Sequence, residues 1–395
     1  MVRQERIHHL QAALARHGLT EGLLFYSRDV FYYTGTAQPS YLAVSAADYR
    51  LFVRSGYDCA REDVFISMDK VSEERKLQNV FRDFFAGPGQ GTGEKKIGTE
   101  LDVLTVQQFE NFTAAFPECE FRNISPVVLE QRKRKDREEI DKLRKACDAV
   151  HAGHEAVLAT LQEGVTELEL AAAVEDAHRR AGHEGIFFIR QPDFFMSRGP
   201  ISSGPNLSKI SGVVYTITGV GLSPSVPAGP SRRKIRRGDP VIVDIPTCVE
   251  GYHADQTRTY ILGKPGGDIQ ALYDNLERIA DYLIETMRPG MRGSDLYDMA
   301  TSKAEQLGVT HAFLNFGGGR RSRLLGHGIG LELNEPPVPS EYDKSLIDEN
   351  YVIALDMHML DERFGVVKLE DMILIGADGN EILTKTPRHL WIVEP

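Results

Sequence analysis

Cysteine is sparse in this 395-residue chain: Cys59, Cys119, Cys147 and Cys248 are scattered, and no two have CxxC spacing. A disulfide framework or a zinc ribbon would cluster them, so the expectation is reduced thiols. Long apolar runs are missing as well. No stretch approaches the roughly 18 consecutive apolar residues of a membrane-spanning helix. The opening MVRQERIHHLQAALARHGL is charged and amphipathic, without the apolar core of a signal peptide. These absences predict a cytoplasmic protein with no membrane partner. Basic residues are outnumbered, and the net charge of -11 argues against a general nucleic-acid binder. Repeats of solenoid type and low-complexity segments are absent too. What is there, 42% hydrophobic and 26% charged residues, is ordinary for a globular enzyme, and the length favours two domains.

Along the chain, residues 3–18 read as a helix with Ile7, Leu10, Leu14 and Ala15 on one face. GLLFYS, YLAVSA, YRLFVR and KKIGTE read as strands, and VLTVQQFENFTAAF as a helix. Alternating strands and helices predict an α/β domain over residues 1–130. The loop AGPGQGTGEKK (86–96) lacks the Lys-Ser/Thr ending of a phosphate-binding loop and reads as a linker. From residue 131 the chain begins a second domain, 131–395. Its basic run QRKRKDREE reads as a solvated face leading into a long helix. His151, His154 and Glu155 form HxxHE, not the HExxH zinc motif, and read as polar helix residues. Helices are expected at 167–182, 269–287 and 294–307, with strands filling the C-terminal third.

The chemistry lies in four apolar strands and a glycine-flanked histidine. VIVDI and HADQTRTYIL read as neighbouring strands joined by a CVEG turn. Numbered about the centre of that turn, Asp244 and Asp255 fall opposite one another, with Cβ atoms roughly 5 Å apart. Two carboxylates that close repel, unless a cation sits between them. VIALDMHML adds Asp356, and GVVKLEDMILI adds Glu370, with Asp371 on the opposite face. LLGHGIGLELNEPPVP sets His327 between two glycines, a bare backbone that allows close approach. Four carboxylates and one imidazole match two divalent cations with a bridging hydroxide as nucleophile. The oxygen-rich donors suit Mn, Co or Fe at least as well as Zn.

The order of these motifs (VDIPTCVEGYHADQTRTY, GHGIGLELNEPP, VIALDMHM, VVKLEDM) resembles the methionine aminopeptidase, prolidase and creatinase family of pita-bread metallohydrolases. The first 130 residues resemble the N-terminal α/β domain of its prolidases, aminopeptidases P and creatinases. The resemblance implies an α+β pita-bread catalytic domain and a homodimer. It also implies metal ligation by Asp244, Asp255, His327, Asp356 and Glu370, with Thr257 following the second Asp as in the family. Glu370 or a neighbouring acid is expected to handle the proton as well.

The chain departs from the family at five points. Asp356 stands where the peptidases have Glu, shorter by one carbon–carbon bond of about 1.5 Å. Asn334 stands for a second histidine; an amide orients a substrate but does not shuttle a proton. Pro227 falls at a third histidine position, Lys368 replaces an arginine, and His358 replaces a glycine near the fourth ligand, where it could supply an imidazole. Lys368 and Thr257 are candidate substrate contacts with Asn334. Arg320, in the run GGGRRSR, is a candidate for a substrate carboxylate. The leading expectation is a dinuclear Xaa-Pro peptidase acting on small peptides. The alternatives are hydrolysis of a C–N bond in a small nitrogenous metabolite, and a binding module.

Overall fold

The computed structural model describes residues 3–19, 21–86, 95–117, 119–191, 199–211 and 216–394. Most of the 86–96 linker lies outside the described residues. The chain divides into two compact units, Met1–Arg132 and Lys133–Pro395. Among the described residues no helix is long and apolar enough to cross a membrane. All four cysteines are free.

The first unit holds six strands: β1 Glu21–Leu24, β2 Ser40–Ser45, β3 Tyr49–Val53, β4 Val71–Glu73, β5 Lys95–Thr99 and β6 Cys119–Asn123. They form one sheet in the order β4-β3-β2-β1-β5-β6. β1 pairs antiparallel with β2 and parallel with β5, so the sheet is mixed. Phe85, Phe112, Phe116 and Phe121 fill the core beside it, in edge-to-face or tilted contacts. The helix Val106–Ala115 starts at a capping box in which Thr105 and Gln108 satisfy each other's backbone N–H.

The basic run at 131–139 is largely buried rather than a solvated face. Arg132 is buried and pairs with Asp29 at 2.7 Å. Lys135 is buried against Glu335 at 2.5 Å, and Arg134 pairs with Asp348. Arg132 and Lys135 pair with buried acids because a buried cation without a partner is costly, whereas Arg134 and Asp348 are both partly exposed.

The second unit carries β7 Ile201–Ser203, β8 Pro240–Asp244, β9 Thr247–Val249, β10 Tyr252–Ala254, β11 Thr257–Leu262, β12 Asn315–Gly317, β13 Arg320–Arg321, β14 Gly326–Gly328, β15 Val352–Asp361, β16 Gly365–Leu374, β17 Glu381–Ile382 and β18 Trp391–Val393. The main sheet runs β14-β15-β16-β11-β8-β7, with β17 on β16 and β18 on β11. Two helix pairs cover it. Arg137–Thr160 and Glu167–Arg180 bury Val157, Leu170 and Val174 with β8 and β11. Gly267–Thr286 and Gly293–Gln306 pack against β15 and β16. Strand periodicity then sorts the faces. Ile353, Leu355, Met357, Met359, Val367, Leu369 and Ile373 join the core with those helices. The alternate residues Asp356, His358, Lys368 and Glu370 take the other face. Asp371 belongs to the helix side, where Arg258, Arg388 and Thr384 satisfy its carboxylate.

Candidate metal centre

The hairpin that presents the first two carboxylates is offset by two residues from the sequence expectation. The turn is the two-residue Glu250-Gly251, with φ of 50° and 79°, and Tyr252 pairs with Val249. Positive φ at both positions is the twist a tight hairpin requires. The register therefore sets Asp244 opposite Thr257, not opposite Asp255. A two-residue offset keeps the face, so both aspartates still point the same way. Asp255 itself lies in the break between β10 and β11, its backbone N–H on the Met372 sulfur.

A row of residues then crosses four strands. Asp356 on β15 faces Glu370 on β16, Glu370 faces Thr257 on β11, and Thr257 faces Asp244 on β8. His358, Lys368 and Thr259 form the next row on the same face. His327 enters from β14, which pairs with β15 through Gly326, His327 and Gly328. Its flanking glycines are required by close backbone approach. A Cβ on Gly326 would lie 2.0 Å from the Ala354 carbonyl oxygen, and one on Gly328 2.4 Å from that of Pro336.

Three of these side chains bring ligand atoms within 4.8 Å of one another: Asp255, His327 and Glu370. His327 Nδ1 contacts the Gly328 carbonyl at 3.1 Å, which turns Nε2 toward the acids. Nε2 is 4.0 Å from Asp255 Oδ2 and 3.7 Å from Glu370 Oε1. Asp255 Oδ1 and Glu370 Oε1 are buried with no hydrogen-bond partner among the described residues. Buried carboxylate oxygens in that condition are costly. A divalent cation supplies the partner they lack, so these residues fit such an ion.

Asp244 and Asp356 turn instead to Lys368. Its ammonium donates to Asp244 Oδ2, and lies 3.1 Å from Asp356 Oδ1 and 3.4 Å from Glu370 Oε2. Nothing in the composition pointed to this placement. The available signal was the spacing of two from Glu370 in a strand, which puts both side chains on one face. Thr257 Oγ1 donates to Glu370 Oε2 at 2.8 Å, so it orients a ligand candidate from behind.

Crowding and burial shape the protonation of the cluster. Burial pushes Asp244 up to about 7 and Asp356 up to about 6, with Lys368 partly offsetting it in both. Burial also raises Asp255, and the Glu370 and Asp244 charges add to it. Glu370 is the exception: burial raises it, but Lys368, His327 and Thr257 prevail and hold it at about 2. Burial lowers His327, and the Glu370 carboxylate more than compensates, so the imidazole is raised.

Asn334 is half-buried, and its Oδ1 has no hydrogen-bond partner among the described residues. His358 is buried, stacked on Phe316 at 4.4 Å between ring centroids, and burial lowers it to about 3, so it stays neutral. Arg320 is exposed on the β12–β13 hairpin. Pro227 is half-buried, and its carbonyl accepts from Ser211. His151 and His154 contact Thr386 and Tyr260, apart from the centre.

The profile of Metallopeptidase family M24 matches residues 141–377, and that of the Creatinase/Prolidase N-terminal domain matches residues 6–134. A Xaa-Pro dipeptidase of Pyrococcus furiosus is 26% identical over 390 residues, covering 98% of this chain and 99% of that protein. The prolidase structure from Pyrococcus horikoshii OT3 superposes with a TM-score of 0.79 at 25% identity, covering 98% of this chain and 99% of that one. A Xaa-Pro dipeptidase structure from Bacillus anthracis shares the fold, with a TM-score of 0.82 at 22% identity over 99% of each chain. The α/β first unit and the pita-bread second unit are thus the creatinase/prolidase architecture. With the M24 match spanning more than half its length and centred on the acid–imidazole cluster, the chain belongs to metallopeptidase family M24 and is a metal-dependent hydrolase.

Proposed function

We propose that this chain is a cytoplasmic peptidase of small Xaa-Pro peptides that uses two divalent ions and works as a homodimer. The observation that carries the reading is the Asp255–His327–Glu370 cluster with its two unpartnered carboxylate oxygens. Those three residues would hold one ion, and Asp244 and Asp356, which share the buried charge cluster with them, would complete the donor set for two. The donor set suits Mn, Co, Fe or Zn. Bound there, divalent ions polarise an amide carbonyl and acidify water. The chain's own residues do the rest. Thr257 fixes the Glu370 carboxylate. Glu370 stays ionised, which suits a ligand and weakens it as a base. Asn334 offers an amide to orient the substrate, and Arg320 a guanidinium for a terminal carboxylate.

A second reading, C–N hydrolysis of a small nitrogenous metabolite on the same centre, is favoured by Asn334. An amide there cannot exchange a proton as an imidazole does. Losing a placed acid–base group costs about 10²–10⁴ in rate. The test reloads chelator-stripped protein with Mn²⁺ or Co²⁺ and assays a Xaa-Pro dipeptide panel, native against Asn334→His. The peptidase reading expects slow native cleavage that Asn334→His raises. Absence of cleavage by both, at full metal load, rejects it in favour of the second.

A further inference from the structure

Strand β16 carries Glu370, and β11 carries the Thr257 that orients it, yet the two strands share one register pair, Thr257 with Glu370. β15 and β16, by contrast, pair along their length, from Val352–Leu374 to Asp361–Gly365. Side chains strengthen the β11–β16 joint. On the site face Thr259 Oγ1 accepts from the Lys368 N–H at 2.9 Å and donates to the Lys368 carbonyl at 2.7 Å. On the opposite face lie Arg258, next in its strand to Thr257, and Asp371, next to Glu370. Arg258 is buried and spends all five of its side-chain N–H groups. Nη1 donates to the carbonyls of Thr257 at 2.8 Å and Glu370 at 2.7 Å, one on each strand. Nη2 donates to Asp371 Oδ1 at 2.6 Å and to the Thr386 carbonyl at 2.7 Å, and Nε to the Pro387 carbonyl at 3.1 Å.

Asp371 is bound to the same C-terminal segment. Thr384 Oγ1 donates to its Oδ1 at 2.6 Å, and Arg388 Nε to its Oδ2 at 2.8 Å. The guanidinium therefore ties together β11, the backbone of a ligand candidate on β16, and segment 384–388. Stability alone is a weak reason for such an ion pair, because apolar side chains of similar volume often serve a buried site as well. What they lack is the planar fork, whose fixed geometry holds two carbonyls at a defined separation. Resting on the metal-centre reading above, we propose that Arg258 is a positioning residue of the centre. It fixes the Glu370 backbone against Thr257 from behind the sheet. It also makes ion affinity depend on segment 384–388, which carries none of the candidate ligands.

The test reads ion affinity and fold stability separately. Full-length protein is stripped with chelator and titrated with Mn²⁺ or Co²⁺ by calorimetry, well below its thermal midpoint. Arg258→Lys keeps a charge beside Asp371 but puts a point charge in place of the fork. It should weaken ion binding by about tenfold or more, the scale on which neighbours of ligands alter metal affinity. Leu296→Ala, in the buried face of the helix Gly293–Gln306, leaves a cavity that lowers the thermal midpoint and should leave ion affinity as it was. Thr384→Val removes one donor from Asp371 and should weaken ion binding in the same direction, by less but measurably. Native affinity in a folded Arg258→Lys overturns the proposal. An equal loss of affinity in Leu296→Ala overturns it as well, because Arg258 would then be a stabilising residue only. If Arg258→Lys fails to fold, Thr384→Val decides, and native affinity there overturns the proposal. Binding of no ion by the native chain would instead overturn the metal-centre reading, and this proposal with it.

Discussion

At the scale of single residues, the centre depends on groups that touch no ion. Thr257 is one. Its hydroxyl is buried and donates to Glu370 Oε2 at 2.8 Å, leaving Oε1 for the His327 side. Thr257→Val keeps the shape and removes the donor. It should weaken divalent-ion binding about 10- to 100-fold, measured by competition with a chromophoric chelator. Unchanged affinity would mean that the strand pairing alone orients Glu370. Asp356 is a second case. The sequence presents it as a shortened ligand; its Oδ1 lies 3.1 Å from the Lys368 ammonium, is buried without a hydrogen-bond partner among the described residues, and feels the Glu370 and His327 charges as well. Chain length is legible in a sequence, but the neighbour that captures a charge is not.

At the scale of elements, the helices Arg137–Thr160 and Glu167–Arg180 interlock closely behind the sheet. A Cβ on Gly153 of the first would meet His178 Nε2 of the second at 2.0 Å, so any larger residue there would have to push that ring aside. Burial keeps His178 neutral down to about 4, with the nearby His183 adding to the effect. The unfolded chain takes up this proton near the ordinary histidine value of about 6.5, above the folded one. Hence the unfolded state binds more protons between those two values, and stability is lost as pH falls from about 6.5 to about 4. His178→Gln should show a shallower fall over that window, read from urea midpoints at several pH values. Equal slopes for the two proteins would place the proton uptake elsewhere. The strands were legible for a simpler reason: VIALDMHML and GVVKLEDMILI alternate between a helix-facing and a site-facing set. The hairpin register was not, because the offset depends on Glu250 and Gly251 both adopting positive φ.

At the scale of the molecule, a cluster of buried carboxylates is a liability that ligand binding converts into stability. Anything that binds only the folded chain stabilises it by mass action, about 2.7 kcal/mol when its concentration is a hundred times its dissociation constant. Chelation should therefore lower the thermal midpoint of protein purified without chelator, and readdition of Mn²⁺ or Co²⁺ should restore it in calorimetry. A midpoint indifferent to both treatments would count against the Asp255–His327–Glu370 cluster as a cation site.

The sequence by itself determined the α/β first domain, the pita-bread second domain and the candidate acids and imidazole at Asp244, Asp255, His327, Asp356 and Glu370. The first follows from periodicity, the second from the family resemblance that the motif order carries, and the acids from their physical oddity in apolar strands. Only the tertiary structure decided which of them stand together. It set Asp255, His327 and Glu370 around one point and gave Asp244 and Asp356 to Lys368. It also turned the basic run at 132–135 inward, onto Asp29 and Glu335. The physical reason is the same in each case. A charge in a low-dielectric interior is stabilised by whichever partner the fold brings within a few ångströms, and those partners come from segments distant along the chain.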